Sequence, residues 1–252
     1  MSYQEIFLPE LLPSVASLAR AAGELVMRHY KTDGTVTRKA DASPVTEADR
    51  AADRLIVTGL KTLTPAVVTV SEEGDKPDVS GKEYFWLIDP LDGTKSFIRG
   101  SGYFTVNIAL IRRKVPVLGI IYDPANNAMY GGMENSAFCE QGDAAKPIRV
   151  RTPGTALTAL VSHSHLNKVT EDYLAAHNIH ERIPCASSIK FCWLAEGKAD
   201  LYPRFGPTME WDTAAGHAIL LAAGGRMMTA DGKPFLYGKP GFANGDFIAS
   251  GG

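Results

Sequence analysis

The amino-acid sequence predicts a layered fold, α+β in its first half and α/β in its second, because the hydrophobic rhythm changes midway along the chain. Up to about residue 140, two segments with helical spacing precede short alternating segments separated by turns, as in an antiparallel meander. Beyond that point strand-like and helix-like segments alternate, as in an α/β layer. Between the two, Gln141-Gly142-Asp143-Ala144-Ala145-Lys146-Pro147 reads as a boundary. It divides the chain into residues 1–145 and 146–252, two subdomains of one compact unit.

Taken in order, residues 8–30 place Leu11, Val15, Leu18, Ala22, Leu25 and Val26 at helical spacing. A polar stretch, Lys31 to Ser43, reads as a loop or short strand. Thr46 and Asp49 then pair as a capping box for a helix over 47–60, so local chemistry alone accounts for Asp49. Residues 66–70 form a short buried strand that ends in Ser71-Glu72-Glu73-Gly74, and residues 84–88 form another that stops at Asp89-Pro90. Strands follow over 104–111, 115–122, 129–133 and 137–139. The second half reads as strands over 157–162, 201–205 and 226–229, with helices over 169–177, 187–197 and 213–223.

A hydrophobic content of 45% with 21% charged residues is that of an ordinary soluble globular chain. The formal net charge of −2 excludes general electrostatic attraction to a nucleic acid polymer or an anionic membrane. Three cysteines, Cys139, Cys185 and Cys192, are odd in number and lack metal-ligand spacing, so reduced thiols in a cytosolic protein are expected. The N-terminus lacks the pattern of a signal peptide, and no run approaches the ~20 apolar residues of a membrane span.

The chemistry gathers at three acidic stretches. In Trp86-Leu-Ile-Asp-Pro-Leu-Asp-Gly-Thr94, Pro90 stiffens the backbone between two carboxylates and Gly93 permits close approach of a ligand. Hard oxygen donors on a stiff turn suit Mg²⁺; the alternative is a turn whose aspartates only cap backbone amides. Glu72-Glu73 repeats the pattern of acid after strand, with solvated loop charges as its alternative. Asp212, in Glu210-Trp-Asp-Thr-Ala-Ala-Gly216, opens a helix of small residues, where an N-cap role would suffice. Were these clusters to converge, their mutual repulsion would require cations. Ser187-Ser188-Ile189-Lys190 opens another helix as an anion site, with Arg204 as a second cation. A solvated helix charge and a core salt bridge are the respective alternatives.

The motifs Asp89-Pro-Leu-Asp-Gly-Thr94 and Trp211-Asp-Thr-Ala-Ala-Gly216, with Glu72-Glu73 upstream, resemble the inositol monophosphatase superfamily of Mg²⁺-dependent, lithium-sensitive phosphatases. More narrowly, Asp89–Phe97, Phe104–Leu110 and Leu201–Pro207 look like its bacterial bisphosphate nucleotidase branch. The resemblance implies an αβαβα sandwich and removal of the 3'-phosphate of adenosine 3',5'-bisphosphate, giving AMP and phosphate. It implies two or three Mg²⁺ ions held by Glu72, Asp89, the Leu91 carbonyl, Asp92 and Asp212, the last also near the substrate. Thr94, hydrogen-bonded to Asp49, would orient the attacking water, without a phosphoenzyme, and the Gly93 and Thr94 amides would hold the reacting phosphate. Ser187, Lys190 and Arg204 would bind the second phosphate, His165 would contact adenine, and Lys39 would lie near the phosphate. It further implies a small-molecule nucleotide partner and a cytoplasmic setting that allows peripheral attachment to the inner membrane face. An inositol-phosphate or histidinol-phosphate phosphatase with the same metal core is the alternative. A catalytically silent metal-binding protein is the reading from another class, and the Thr94–Asp49 pair argues against it.

Overall fold

Helices, sheet, helices, sheet and helix stack as five layers in the computed structural model, which describes residues 8–30, 36–38, 44–142, 144–163 and 166–252. The first layer is α1 (Leu8–His29) packed on α2 (Glu47–Leu63), with a two-stranded antiparallel ribbon, β1 (Val36–Arg38) and β2 (Pro44–Thr46), leading into α2. Both helices bury one stripe: Leu11, Val15, Ala19, Ala22 and Val26 on α1, and Ala48, Ala52, Ile56 and Leu60 on α2.

These stripes cover one face of a seven-stranded sheet: β3 (Val68–Ser71), β4 (Tyr84–Asp92), β5 (Thr105–Arg112), β6 (Val115–Asp123), β7 (Ala128–Met133), β8 (Ser136–Gln141) and β9 (Ala144–Pro147). Only β3 and β4 run parallel; the rest is the expected meander. A short helix, α3 (Thr94–Ile98), separates β4 from β5. Along β4, Tyr84, Trp86 and Ile88 face the first helix layer, while Phe85 and Leu87 face the middle of the molecule.

The second sheet contains β10 (Thr158–Ser162), β11 (Glu181–Cys185), β12 (Leu201–Arg204), β13 (Arg226–Thr229) and β14 (Phe247–Ser250), ordered β11-β10-β12-β14-β13. Its outer face carries α4 (Lys168–Ala176), which buries Leu174 against Ala159, Val161 and Leu201. Between the sheets lie α5 (Ile189–Ala195) and α6 (Glu210–Ala222), shared by both, and a 3₁₀ turn, Pro240–Phe242, precedes β14. Small residues allow the middle layer to sit this close. A Cβ at Gly119 would lie 2.3 Å from the Ala215 carbonyl oxygen, and one at Gly132 would lie 2.6 Å from the Ile219 Cα.

Several elements differ from those expected. β4 does not stop at Asp89-Pro90; it continues to Asp92 through a bulge in which residues 89–92 stand opposite residues 105–107. Pro90 falls inside the bulge, where its missing N–H breaks no ladder bond. α6 begins at Glu210 with Met209 as N-cap, so Asp212 lies in the first turn and is not the cap. β2, β9, β11, β14 and α3 were not anticipated. All four residues of β9 are exposed and Pro184 interrupts β11, so neither shows a buried alternating pattern. No helix among the described residues is long and apolar enough to cross a membrane.

Gly119→Ala should lower unfolding stability by about 1–3 kcal/mol through overpacking of α6, whereas Gly154→Ala, whose Cβ meets nothing nearer than 4.0 Å, should stay within about 0.5 kcal/mol. Urea denaturation of the two variants checks this, with the change expected in the midpoint and not in the slope.

Candidate active site

Three carboxylates meet where the first sheet faces α6. Asp89 sits in the β4 bulge, 1% exposed, and its Oδ1 accepts the Leu91 N–H at 3.0 Å. Glu72 follows β3, which runs parallel to β4, and its own N–H donates to the Ile88 carbonyl at 3.0 Å. Asp212 projects from the first turn of α6, its Oδ2 accepting the Met209 N–H at 2.8 Å. Carboxylate oxygens of Glu72, Asp89 and Asp212 thereby lie within 4.8 Å of one another. Asp92 lines the same cleft and accepts the Ser188 N–H on Oδ2 at 2.6 Å.

Burial, then the neighbouring charges of Glu72, Asp92 and Asp212, holds the Asp89 carboxyl well above the usual carboxylate range. Burial and then the Asp92 charge push Asp212 up to about 8. Asp92 is raised by burial, against which the Lys190 ammonium acts first. An all-oxygen donor set whose members repel one another fits a hard divalent cation, which would relieve both burial and repulsion. The Leu91 carbonyl lies 3.1 Å from Thr94 Oγ1, a second acceptor near the hydroxyl whose single proton is directed to Asp49.

The two explanations of Asp49 hold together, one on each oxygen. Oδ2 accepts the Thr46 N–H at 2.8 Å and the Thr46 hydroxyl at 2.5 Å, completing the capping box. Oδ1 accepts the Thr94 hydroxyl at 3.2 Å. Burial raises this carboxyl, and the bonds from Thr46 and Thr94 oppose the rise. Thr94 opens α3 directly after Gly93, whose φ of 91° lies in the left-handed region; a Cβ there would also meet the Tyr103 carbonyl oxygen at 2.7 Å.

The opposite wall is basic. Lys190 is 4% exposed, so it is not a solvated helix charge. Its Nζ donates to the carbonyls of Ser187 at 2.6 Å and Cys185 at 3.4 Å and lies 5.2 Å from the Tyr202 ring centroid. Burial lowers its affinity for the proton. Arg204 donates to the Pro207 carbonyl at 3.2 Å and, among the described residues, makes no core salt bridge. Among the described residues, its Nε and the Ser187 hydroxyl are buried without partners. The first N–H at this helix entry is not a free anion donor, because Ser188 spends it on Asp92 while its hydroxyl bonds Asn107 Oδ1 and Thr105 Oγ1, each at 2.8 Å. Lys39 and His165 lie outside the described residues.

Acidic and basic walls enclose one cleft of about 540 Å³. Lys95 and Ser96 of α3 and Arg99 just after it also line it and were missed from the sequence, although they adjoin the Asp89–Thr94 motif. Glu210, fully buried, was missed too. It accepts the N–H groups of Gly238 at 2.7 Å and Lys239 at 2.9 Å and pairs with Lys239 Nζ at 2.7 Å, which anchors the start of α6. Its place directly before Trp211-Asp212 was the available signal.

The model of the inositol monophosphatase family matches residues 9–249. The chain belongs to that family. The 3'(2'),5'-bisphosphate nucleotidase CysQ of Escherichia coli (strain K12) is 46% identical over 248 residues, covering 95% of this chain and 99% of that protein. Among solved structures, CysQ from Bacteroides thetaiotaomicron, a bacterial member of the inositol monophosphatase family, superposes with a TM-score of 0.87 at 37% identity, covering 98% of this chain and 99% of that one. An IMPase from Thermotoga maritima superposes with a TM-score of 0.79 at 26% identity, covering 96% and 92%. The αβαβα order implied by the resemblance is the order of this family member's layers.

In metal-free protein, stability should fall as pH rises. Asp212 titrates near 8 when folded, against 3.8 as its ordinary value, so between those limits the folded state binds more protons than the unfolded one. Asp89 and Asp92 shift in the same direction. The melting temperature in chelator should drop between pH 5 and pH 8, and added Mg²⁺ should recover most of the loss at pH 8. A metal-free melting temperature that rises across this window would contradict the assignment.

Proposed function

We propose that this chain is a Mg²⁺-dependent 3'(2'),5'-bisphosphate nucleotidase that hydrolyses the 3'-phosphate of adenosine 3',5'-bisphosphate to AMP and inorganic phosphate. The observation that carries this reading is a single cleft with an acidic wall at Glu72, Asp92 and Asp212 and a basic wall at Ser187, Lys190 and Arg204. A monophosphate ester needs only the acidic wall. Buried polar atoms left without partners, Arg204 Nε and Ser187 Oγ, favour a second anionic group in the ligand. The similarity to CysQ, a 3'(2'),5'-bisphosphate nucleotidase, supports the nucleotide bisphosphate class. Three buried free thiols support a cytoplasmic setting.

Glu72, Asp89, Asp92, Asp212 and the Leu91 carbonyl would hold the metal, two or three ions in all. When bound, Mg²⁺ lowers the pKa of water and offsets charge on the phosphoryl oxygens. The remaining work falls to the chain. Thr46 pins one Asp49 oxygen with two donors, so the carboxylate cannot turn, and the other oxygen takes the Thr94 proton. Thr94 Oγ1 then presents its lone pairs to water, which fixes the water's orientation for attack. The hydroxyl is committed to orientation and forms no phosphoenzyme. The water oxygen bonds to phosphorus and the bond to the 3'-oxygen breaks. Of the two water protons, one remains with the released phosphate; the other, passed through solvent, balances the proton taken up by the 3'-oxygen as it leaves as the hydroxyl of AMP. The Gly93 and Thr94 amides would steady the reacting phosphate at the turn. Two Lys190 protons are taken by carbonyls and the third is left for the uncleaved phosphate, beside Arg204 and Ser187.

Phosphate release from nucleotide bisphosphates, inositol phosphates and histidinol phosphate, with Mg²⁺ and with chelator, tests the reading. Turnover should be greatest on adenosine 3',5'-bisphosphate and absent in excess chelator. A wild-type preference for inositol 1-phosphate would replace the nucleotidase reading with a monophosphatase.

Lys190→Met retains the aliphatic stem and removes the charge. A charge-assisted contact contributes roughly 1.5–3 kcal/mol, so kcat/KM on adenosine 3',5'-bisphosphate should fall roughly 10- to 100-fold. The slower hydrolysis of 3'-AMP should barely change, and equal losses on both substrates would assign Lys190 to the fold. Thr94→Ala should lower kcat far more than it raises KM, because orientation of the water matters in the transition state. Weakened binding at unchanged kcat would give the hydroxyl a binding role instead.

A further inference from the structure

We infer that Lys76 is a positioning residue for the metal-binding carboxylates, fixing the loop that presents Glu72 and bracing it against the helix that carries Asp212. The inference rests on the reading of Glu72, Asp89 and Asp212 as ligands of a divalent cation. Lys76 Nζ donates to three carbonyls of that loop: Ser71 at 2.5 Å, Gly74 at 2.8 Å and Glu72 at 3.0 Å. An ammonium has three protons, and each meets one of these acceptors. The same ammonium lies 4.9 Å from the centroid of the Trp211 ring.

The placement is specific to the acidic cluster. Glu72 donates its N–H to Ile88, the residue before Asp89, and gives its carbonyl to Lys76, which leans on Trp211, the residue before Asp212. The peptide of Glu72 is thus gripped on both sides by neighbours of the other two carboxylates. At the start of the loop, the Ser71 hydroxyl donates to Asp53 of α2, which fixes the exit from β3. Between Ser71 and Lys76 the described backbone bonds within the loop reduce to Gly74 N–H to the Ser71 carbonyl at 3.3 Å, and Gly74, Asp75 and Lys76 are exposed. Without the ammonium three carbonyls lose a shared donor, and the backbone that presents Glu72 has more ordering left to do when the ion binds. The loss should therefore appear in metal affinity and not in the chemical step.

Calorimetric titration of Mg²⁺ and of Mn²⁺ into the full chain without substrate tests this, comparing wild type, Lys76→Met and Lys76→Arg. Lys76→Met should raise the dissociation constant roughly three- to tenfold, below the usual range for groups bonded directly to a ligand because Lys76 acts through the backbone. At saturating Mg²⁺ its kcat should stay within about twofold of wild type. Lys76→Arg, which keeps the charge and several donors, should recover most of the affinity. An unchanged metal constant in folded Lys76→Met overturns the inference even if its melting temperature falls, and Lys76→Gln takes its place if the Met variant does not fold. The two readings fail separately: wild type that binds neither ion removes the metal assignment, whereas normal metal binding by the Lys76 variant removes only the role of Lys76.

Discussion

Glu72, Asp89 and Asp212 hold carboxylate oxygens within 4.8 Å of one another. Two unit charges at that separation repel by about 1 kcal/mol in water and by about 3–4 kcal/mol at an effective dielectric constant of about 20. Much of the architecture reads as the means of sustaining this. β4 is bulged so that its end turns Asp89 inward, β3 runs parallel beside it so that Glu72 arrives at the same level, and α6 enters from the second half of the chain to add Asp212. Backbone donors from Leu91, Met209 and Ser188 each meet one of the acidic residues and offset part of the charge. The site gives up stability to be ready for a cation, a common bargain at functional sites.

The basic wall is tied to the acidic one. Ser188 donates its N–H to Asp92, and its hydroxyl reaches Asn107 on the strand that pairs with β4, so the entry of α5 is bolted to the acidic end of the first sheet. Lys190, in the first turn of that helix, has its proton affinity lowered by burial; the nearby Asp92 charge works against that lowering, and Lys190 restrains the rise of Asp92 in return. Each half of the chain thus supplies one pole of the cleft and a partner for the other pole.

The acidic motifs were legible because Glu72 and Asp89 follow apolar runs and are marked by glycine or proline, while Asp212 opens a helix of small residues. Asp49 was harder. Its capping box is complete within four residues of sequence, and the bond to Thr94 spans a distance that no local pattern registers. Lys190 looked like any lysine on a short helix, and its burial follows from the packing of α5 between two sheets. The meander could be read because its strands alternate, whereas β9, wholly exposed, carries no such pattern. The stop expected at Asp89-Pro90 was misplaced because a bulge lets a proline remain in a paired strand. Glu210 and Lys76 act through backbone groups far from them in sequence or along an irregular loop, which is where sequence patterns carry least.

The contact of α6 with the first sheet, backbone against backbone at Gly119 and Gly132, sets the geometric freedom of the whole cleft. A helix seated against glycines, with only the methyl groups of Ala218 and Ala222 beside its backbone there, has little room to slide or tilt without a clash or a loss of contact. Asp212 therefore keeps a nearly invariant distance from Asp89, and the acidic wall behaves as a fixed jaw. The facing jaw is built from the short helix α5, the end of β12 and the exposed turn of α3, joined to the core by side-chain packing that can be rebuilt. Descendants of this chain could change the ligand that the cleft accepts by redrawing that second jaw while the acidic jaw stayed as it is.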